Sequence, residues 1–337
     1  MRRFLIVILW LCIGAAGGWW AAHRVSAAGS PPAHTVEPLD LPPSLHKPVV
    51  RARAVAAGET AKPAGPAFEY EYVAPKAAEL QPIYERVREA DLLHGIPELK
   101  ALDGLFMLPR PLRFVTAQCN EFGAFYVPES TEVVLCYETL KTLYERGEEQ
   151  LKDSPDLGKD FPLAYTRANV RFIVLHETGH ALVHLMDLPI TGREEDAVDQ
   201  LATTLMQRFA SVDETPQQTA ENLRMAANWM LSRSTGAYNL DAYADEHALN
   251  EQRYFNLQCM IYGSDPVRYV SIVKDGDLPE ARAQLCPREA ERVSRSWLRL
   301  LLPHLAPKYE MTEDEATRFF ERKEREREQK GKQPYVR

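Results

Sequence analysis

Hydrophobic residues follow two patterns in this chain of 337 residues, one typical of strands and, after it, one typical of helices. Short β-rich runs predict strands over 112–116, 123–127 and 132–136, and the turn residues between the last two predict a hairpin. Apolar residues spaced three or four apart then predict a series of helices. We place these helices over residues 80–93, 137–151, 168–186, 194–210, 218–233, 241–262 and 288–302. The pattern therefore predicts an α+β fold, with a small N-terminal β-sheet and a larger helical C-terminal part.

The N-terminus carries a targeting signal. Two arginines precede an uncharged, mostly apolar run over residues 4–22, which is about long enough to cross a bilayer. Small residues at 26–28 offer a signal-peptidase site, whereas Trp19 and Trp20 are typical of the interfacial end of an uncleaved anchor. We therefore predict that residues 1–28 are either a signal peptide or an N-terminal membrane anchor. In both cases the remainder lies outside the cytoplasm, which in a bacterium is the periplasm.

Composition divides the rest of the chain. Residues 29–76 are rich in Pro and Ala and show no sustained period, which is typical of a linker. Residues 77–310 carry the periodic pattern and are enough for one domain. Thr312 and Glu315 form a capping box that predicts the start of a helix of alternating charges. We predict that residues 311–337 are a charged helical tail exposed to solvent.

The charge balance narrows the class of partner. Forty Lys and Arg residues against 48 Asp and Glu residues give a formal net charge of −8. Such a chain lacks the broad basic field that draws proteins onto nucleic acid or anionic lipid. Nucleic acid is therefore not an expected partner, and a membrane is expected only through the N-terminal segment.

An H-E-x-x-H motif lies within the helix predicted over 168–186. Residues four apart project from one face of a helix, so His176 and His180 can place two imidazole nitrogens on one zinc ion. Glu177 then lies beside the water that the metal activates. The flanking residues are apolar, and burying these three side chains without a partner would be costly. The motif therefore predicts a metal centre.

The next helix supplies candidates for a third ligand. Thr191 and Glu194 match a capping box, which predicts that a helix starts there. On that helix Glu195 and Asp199 are four residues apart and share a face. Glu195 can be the third zinc ligand, while Asp199 accepts a hydrogen bond from the outer nitrogen of a ligating histidine. Two histidines and one carboxylate leave a position open for water, as a catalytic zinc requires.

Two other residues compete for the place of third ligand. Asp196 would replace Glu195 if the helix were rotated by one residue, and we favour Glu195 because it pairs with Asp199. His184 follows His180 by four residues, but about 12 Å of helix separates it from His176. Zinc–nitrogen bonds are about 2 Å long, so His184 cannot close a site with both histidines.

The segment from His176 to Asp199 resembles the zincin metallopeptidases, and a Glu followed four residues later by an Asp is typical of their gluzincin type. Further motifs resemble an uncharacterised bacterial family of metallopeptidases: Cys119-Asn120, Phe125-Tyr126, Leu135-Cys136-Tyr137-Glu138, Gly192-Arg193-Glu194-Glu195-Asp196 and Gln252-Arg253-Tyr254 with Cys259. The resemblance implies a zincin-like fold over 77–310, one Zn²⁺ per chain and a peptide or protein substrate. It implies no particular substrate.

These roles predict a mechanism. Zinc polarises the scissile carbonyl and acidifies a water molecule, and Glu177 takes the proton of that water and later delivers it to the leaving amine. A donor to the developing oxyanion is also needed, and His247 and Tyr254 are the downstream candidates. By analogy with zincins, the segment 123–126 would be the edge strand that binds extended substrate.

The cysteines support the prediction of export. Apart from Cys12 in the apolar run, they fall into neighbouring pairs, Cys119 with Cys136 and Cys259 with Cys286. Export together with proximity favours these two disulfides. Zinc ligation by cysteine is the alternative, although the chain has no C-x-x-C spacing.

Two functions follow from the sequence. The first is an exported or membrane-anchored zinc metallopeptidase with Glu177 as its general base. The second is a non-catalytic binding or assembly module that retains a zincin-like fold, with or without metal. The presence of Glu177 beside both histidines favours the enzyme, because a binding module has no need of the base.

Overall fold

The computed structural model describes residues 68–234 and 243–331. The predictions for the N-terminal apolar run, its possible cleavage site and most of the linker lie outside these residues. Within 68–234 and 243–331, every helix is too short or too polar to cross a bilayer. The described chain is mixed α+β, with a small sheet near its N-terminus and a larger helical part, as predicted.

Four strands form one sheet in the order β1-β2-β4-β3. Their bounds are Phe68–Tyr72 for β1, Leu112–Ala117 for β2, Ala124–Val127 for β3 and Glu132–Cys136 for β4. β2 lies parallel to β1 and to β4, whereas β3 and β4 form the predicted antiparallel hairpin. Every residue of β4 is buried because it lies inside the sheet, while β3 is an edge strand.

Strand β1 corrects the predicted end of the linker. Phe68–Tyr72 lies within the segment 29–76, and it pairs along its whole length with β2. Its side chains alternate: Phe68 is buried, while Glu69 and Glu71 on the opposite face both pair with Arg113 of β2. The alternation spans five residues beside a Pro- and Ala-rich stretch, too short a run to stand out in the sequence.

The predicted helices are present, with shifted ends. The helices are α1 Gln81–Glu89, α2 Pro97–Leu102, α3 Tyr137–Asp153, α4 Phe161–Leu185, α5 Glu194–Phe209, α6 Pro216–Ser232, α7 Asn250–Ser264, α8 Ser271–Lys274, α9 Glu280–Ala283, α10 Cys286–Leu301 and α11 Glu313–Gly331. α4 starts seven residues earlier than predicted, with Pro162 in its first turn. α7 starts at Asn250 rather than at residue 241.

Helix α4 is the centre of the core. It packs against α3, α5 and α6 and against the hairpin, so it is buried on several sides. Its buried residues include Phe172, Leu175 and Leu182. A helix that is apolar nearly all round has to be enclosed, which explains why the motif stands in an apolar run.

The charged C-terminal helix docks onto the domain, which corrects the prediction of a solvated tail. Arg327 of α11 is only 3% exposed. Its guanidinium donates to the carbonyl oxygens of Gln207, in the last turn of α5, and Glu214, and to the Thr219 hydroxyl. One buried arginine thus satisfies the Gln207 carbonyl at the end of α5, which has no donor within the helix, and the Glu214 carbonyl in the loop that follows. The predicted capping box of Thr312 and Glu315 is present.

Both predicted disulfides are present. Cys119–Cys136 joins the segment after β2 to the end of β4, and Cys259–Cys286 joins α7 to the start of α10. The bonds span 17 and 27 residues of sequence, and loops of this length gain about 3 kcal/mol each from cross-linking. Disulfides of this kind are typical of oxidising compartments. Each of the four sulfurs belongs to one of these two disulfides, so none of them is a free thiolate that could bind a metal.

Candidate active site

Helix α4 places the two histidines of the motif one turn apart. The ring centroids of His176 and His180 are 5.0 Å apart, and the His176 side chain is almost fully buried. Gly179, between them in the sequence, lies where α5 approaches closely: a Cβ there would be 2.8 Å from Cβ of Val198. The absence of a side chain at Gly179 therefore lets the two helices come close enough for their polar residues to meet.

Helix α5 brings Glu195 to both histidines. It starts at Glu194, and its N-cap is Arg193, whose side chain makes no capping hydrogen bond. The predicted capping box with Thr191 is therefore wrong, because Thr191 precedes the true N-cap by two residues and cannot reach the first turn. The first turn itself holds Glu194, Glu195 and Asp196, which suits the positive end of a helix dipole.

Three imidazoles converge on the carboxylate of Glu195. Nε2 of His176 lies 3.1 Å from Oε2, and Nε2 of His180 lies 3.4 Å from Oε1. Nε2 of His247 lies 3.0 Å from Oε2, and its ring stacks on that of His176 with centroids 6.2 Å apart. We call these four residues the histidine cluster. Potential ligand atoms of His176, Glu195 and His247 all lie within 4.8 Å of one another.

Each outer nitrogen of the histidine cluster contacts a separate carboxylate. The Nδ1 atoms of the three rings lie 2.7 to 3.0 Å from the nearest carboxylate oxygen. The pairs are His176 with Asp199, His180 with Glu194, and His247 with Asp245. A carboxylate on Nδ1 fixes the ring and directs Nε2 inward, which is the arrangement found around metal-ligating histidines.

Asp199 is held in turn by Arg253 of α7. Nε and Nη2 of Arg253 each donate to Asp199 over 2.7 Å. Burial disfavours the charged Asp199, but the guanidinium and the hydrogen bond to His176 outweigh it and lower the pKa of Asp199 to about 2. Sequence reasoning found Arg253 only as part of the motif Gln252-Arg253-Tyr254 and gave it no role. A buried aspartate that faces a histidine could have suggested a compensating cation, but not which one.

The Glu177 side chain extends from α4 to the edge strand β3. Its Oε2 accepts a hydrogen bond from the backbone N–H of Tyr126 over 2.8 Å. Burial raises the pKa of the Glu177 carboxyl, with the two histidines and the Tyr126 N–H acting in the opposite direction. A raised pKa makes the carboxylate a stronger base toward a nearby proton.

The rival residues lie outside the histidine cluster. Glu195, rather than Asp196, meets all three imidazoles. His184 uses its Nδ1 on the Tyr126 hydroxyl, 2.8 Å away, and packs against that ring. His184 therefore anchors the edge strand to α4.

Tyr254 does not join the histidine cluster, in contrast to His247. Its hydroxyl donates to Asp277 over 3.1 Å, and the side chain is 5% exposed. Successive residues on a helix point about 100° apart. Since Arg253 of α7 points at Asp199, its neighbour Tyr254 is directed elsewhere. The sequence-based pairing of His247 and Tyr254 as equivalent candidates is corrected accordingly.

The electrostatics of the histidine cluster are those of a site built for a cation. Burial disfavours charge on His176, but hydrogen bonds to Asp199 and Glu195 outweigh this and raise the pKa of His176 to about 10. Burial disfavours the charged Glu195, but the three imidazoles outweigh it and hold the pKa of this carboxyl well below its usual range. Imidazole nitrogens with a carboxylate are donors that zinc accepts, and a divalent ion would supply the positive charge that protons supply otherwise. The residues present therefore fit a metal ion.

A protein-family model described as "Putative metallopeptidase" matches residues 72–301. The match covers about two thirds of the chain. It includes β2 to β4, the helices α4 and α5 that carry the histidines and Glu195, and Arg253. No curated protein and no solved structure matches the sequence.

Proposed function

We propose that this chain, which belongs to the metallopeptidase family matched over residues 72–301, is a zinc-dependent peptidase of the gluzincin type. His176, His180 and Glu195 would hold the ion. One observation carries the proposal: three imidazoles present Nε2 to a single carboxylate while a separate carboxylate holds each Nδ1. Burying so many ionisable groups together is costly for a purely structural cluster and useful for a metal site.

The chemistry divides between the ion and the chain. Zinc held by two histidines and a glutamate supplies Lewis acidity toward a water molecule and the scissile carbonyl. Glu177 takes the proton from the attacking water, and its raised pKa helps it to carry that proton to the leaving amine. The hydrogen bond from Tyr126 keeps one Glu177 oxygen fixed, so the other oxygen is free to face the reacting atoms.

His247 is our candidate for stabilising the oxyanion. Asp245 holds its Nδ1, and its Nε2 contacts Glu195; once Glu195 held the ion, Nε2 would donate toward charge that develops on the substrate carbonyl oxygen. The alternative is that His247 is itself a ligand, since its Nε2 lies as near Glu195 as that of His176 does.

Replacing His247 with Ala distinguishes these roles. We expect kcat to fall about 10²–10³-fold, the usual effect of losing an oxyanion donor, with the zinc content unchanged. Elemental mass spectrometry and peptide turnover on one preparation measure both quantities. His94→Ala is the matched control, because His94 is exposed, pairs with Asp91 three residues earlier and makes no contact with the histidine cluster. Loss of zinc from His247→Ala would identify His247 as a ligand instead.

The edge strand β3 offers a place for an extended peptide. Because the Tyr126 N–H donates to Glu177, it points away from β4, and alternate residues of a strand point the same way. The N–H and C=O of Ala124 therefore also face outward, on the side of Glu177. A peptide that paired with Ala124 would pass Glu177, which supports substrate binding by strand addition.

Replacing Ala124 with Pro tests substrate binding at β3. Pro removes the outward N–H while the ladder with β4 keeps the N–H of Phe125. We expect kcat/KM for extended peptides to fall about twofold to tenfold, as for one lost hydrogen bond. Zinc content should not change, and Ala124→Gly, which keeps the N–H, should behave as wild type. Equal losses on extended and on minimal substrates would contradict strand addition.

Chelation tests the proposed function directly. Treating the full chain with 1,10-phenanthroline should abolish peptide hydrolysis, and stoichiometric Zn²⁺ should restore it. The measurement is turnover of a fluorogenic peptide mixture alongside metal content. Hydrolysis that survives complete metal removal would contradict the proposal. A chain that binds zinc but hydrolyses none of the peptides would favour the non-catalytic binding module.

We further propose that the enzyme works outside the cytoplasm, in the bacterial periplasm or anchored in the inner membrane facing it. The two disulfides support this, because such bonds persist in oxidising compartments. The apolar run over residues 4–22, with arginines before it, supports export in the same direction.

A further inference from the structure

A cavity of about 590 Å³ lies between α5, α10 and α11. We call it the α5–α10–α11 cavity. Its wall is mostly apolar, and the side chains Phe106, Leu205, Trp297, Leu301 and Phe320 contribute to it. Its volume is in the range of small-molecule sites, which run from about 300 to 1,000 Å³.

Two cations line this cavity without a matching anion. Arg208 donates from Nη2 to the Ser294 hydroxyl over 3.1 Å, and its guanidinium lies over the ring of Phe320. Lys323 donates from Nζ to the backbone oxygen of Arg208 over 3.2 Å. Within the described parts of the chain, neither side chain has a carboxylate within the 4.0 Å of an ion pair. Both side chains line the same apolar space, and the Lys323 ammonium lies beside the backbone of Arg208.

The acids in the same wall are already paired. Glu291 lies 3.6 Å from Arg295, and Glu313 lies 2.8 Å from Arg299. Burial lowers the pKa of Arg208 and of Lys323, while Glu321 and Glu324 act in the opposite direction on Arg208 and Glu98 does so on Lys323, all from beyond ion-pair distance. Both cations are partly buried and neither is in an ion pair, so an anion bound in direct contact would stabilise this region.

The α5–α10–α11 cavity is separate from the histidine cluster. At 100° per residue, Arg208 lies on the face of α5 opposite to Glu195 and Asp199. Thirteen residues also separate Glu195 from Arg208, which is about 20 Å of helix. A ligand in the cavity would therefore leave the metal site free, and its binding can be tested without peptidase activity.

We propose that the α5–α10–α11 cavity binds a single-chain amphipathic anion, a long-chain alkyl carboxylate, with its headgroup at Arg208 and Lys323. The apolar wall accommodates the alkyl chain, and the two cations donate charge-assisted hydrogen bonds to the carboxylate. A peptide would bring backbone amides into a wall with few polar partners, which costs free energy. A single alkyl chain brings none.

Photolabelling of the full chain tests this. The probe is a long-chain alkyl carboxylate that carries a diazirine, and labelled peptides are identified by mass spectrometry. We expect labels on α5, α10 and α11, which dodecanoate competes away and dodecanol does not. The double variant R208Q/K323Q should lower labelling about tenfold or more, since it removes both charged donors to the carboxylate. R295Q is the matched control, because Arg295 lines the same cavity but is paired with Glu291.

Three results would overturn the proposal. The first is labelling elsewhere, or none in the cavity. The second is competition by dodecanol as strong as that by dodecanoate, which would indicate an apolar site without a headgroup contact. This comparison uses the wild-type chain alone. The third is competition by anionic phospholipid vesicles but not by dodecanoate, which would indicate a membrane surface as the ligand. A thermal melt by circular dichroism checks that each variant is folded.

Discussion

Replacing Glu177 with Gln is expected to lower kcat for peptide hydrolysis by about 10²–10⁴-fold, which is the usual contribution of a general base. Gln has nearly the same shape and can still accept the hydrogen bond from the Tyr126 N–H, so the local structure should persist. It cannot take a proton from water. The zinc content should therefore stay at the wild-type level while turnover is lost.

The measurement compares kcat and metal content of Glu177→Gln with those of Glu246→Gln. Glu246 is an exposed carboxylate beside His247 in the sequence. Its replacement makes the same change of charge but leaves Glu177 and its hydrogen bond from Tyr126 in place. Wild-type turnover by Glu177→Gln would rule out Glu177 as the base. Loss of zinc from that variant would show that its inactivity has another cause.

Replacing Glu195 with Ala is expected to remove most of the zinc. Glu195 is the group on which all three imidazoles converge, so the variant loses both a ligand and the counter-charge of the histidine cluster. Its metal-free form should also be less stable, because the imidazoles would then face one another without an anion between them. Elemental mass spectrometry measures the zinc, and a thermal melt measures the stability.

Asp196→Ala is the matched control for Glu195→Ala. It removes a carboxylate from the same helical turn, and the zinc content should be unchanged. Zinc kept by Glu195→Ala and lost by Asp196→Ala would transfer the role of third ligand to Asp196. Zinc kept by both would indicate a site of three histidines, in which His247 is the third ligand.

Sequence reasoning succeeded where chemistry depends on local spacing. His176, Glu177 and His180 lie on one helix, and Glu195 and Asp199 on another, so helical geometry alone relates the members of each set. The contact between the two sets needed one further feature, the close approach at Gly179. That glycine is part of the motif, but its spacing does not reveal which helix packs there.

The parts that could not be predicted depend on residues far apart in the chain. Arg253 is 54 residues from Asp199, and Tyr126 is 51 residues from Glu177. No period or motif relates such pairs, because they are set by how α7 and β3 pack on the core. A backbone N–H as a partner leaves no trace in the sequence at all.

Helix α11 shows a different failure of sequence reasoning. Its alternating charges resemble those of a solvated helix, yet one of its arginines is buried at the end of α5. Charge patterns predict exposure on average, but a single long side chain can carry a charge into a gap between helices. Arg327 is the buried arginine because its position on α11 faces the carbonyl oxygens of Gln207 and Glu214, to which it donates.

The chain enters the described domain at β1, the edge of the sheet opposite to β3. With strands about 4.8 Å apart, the two edges are separated by about 14 Å. A force that pulled on the chain before β1 would act first on the pairing of β1 with β2. There Arg113 forms ion pairs with the acidic side chains of β1 and with Glu132 of β4. The strand beside Glu177 therefore lies at the far edge of the sheet from this pairing, and its open edge faces away from β1.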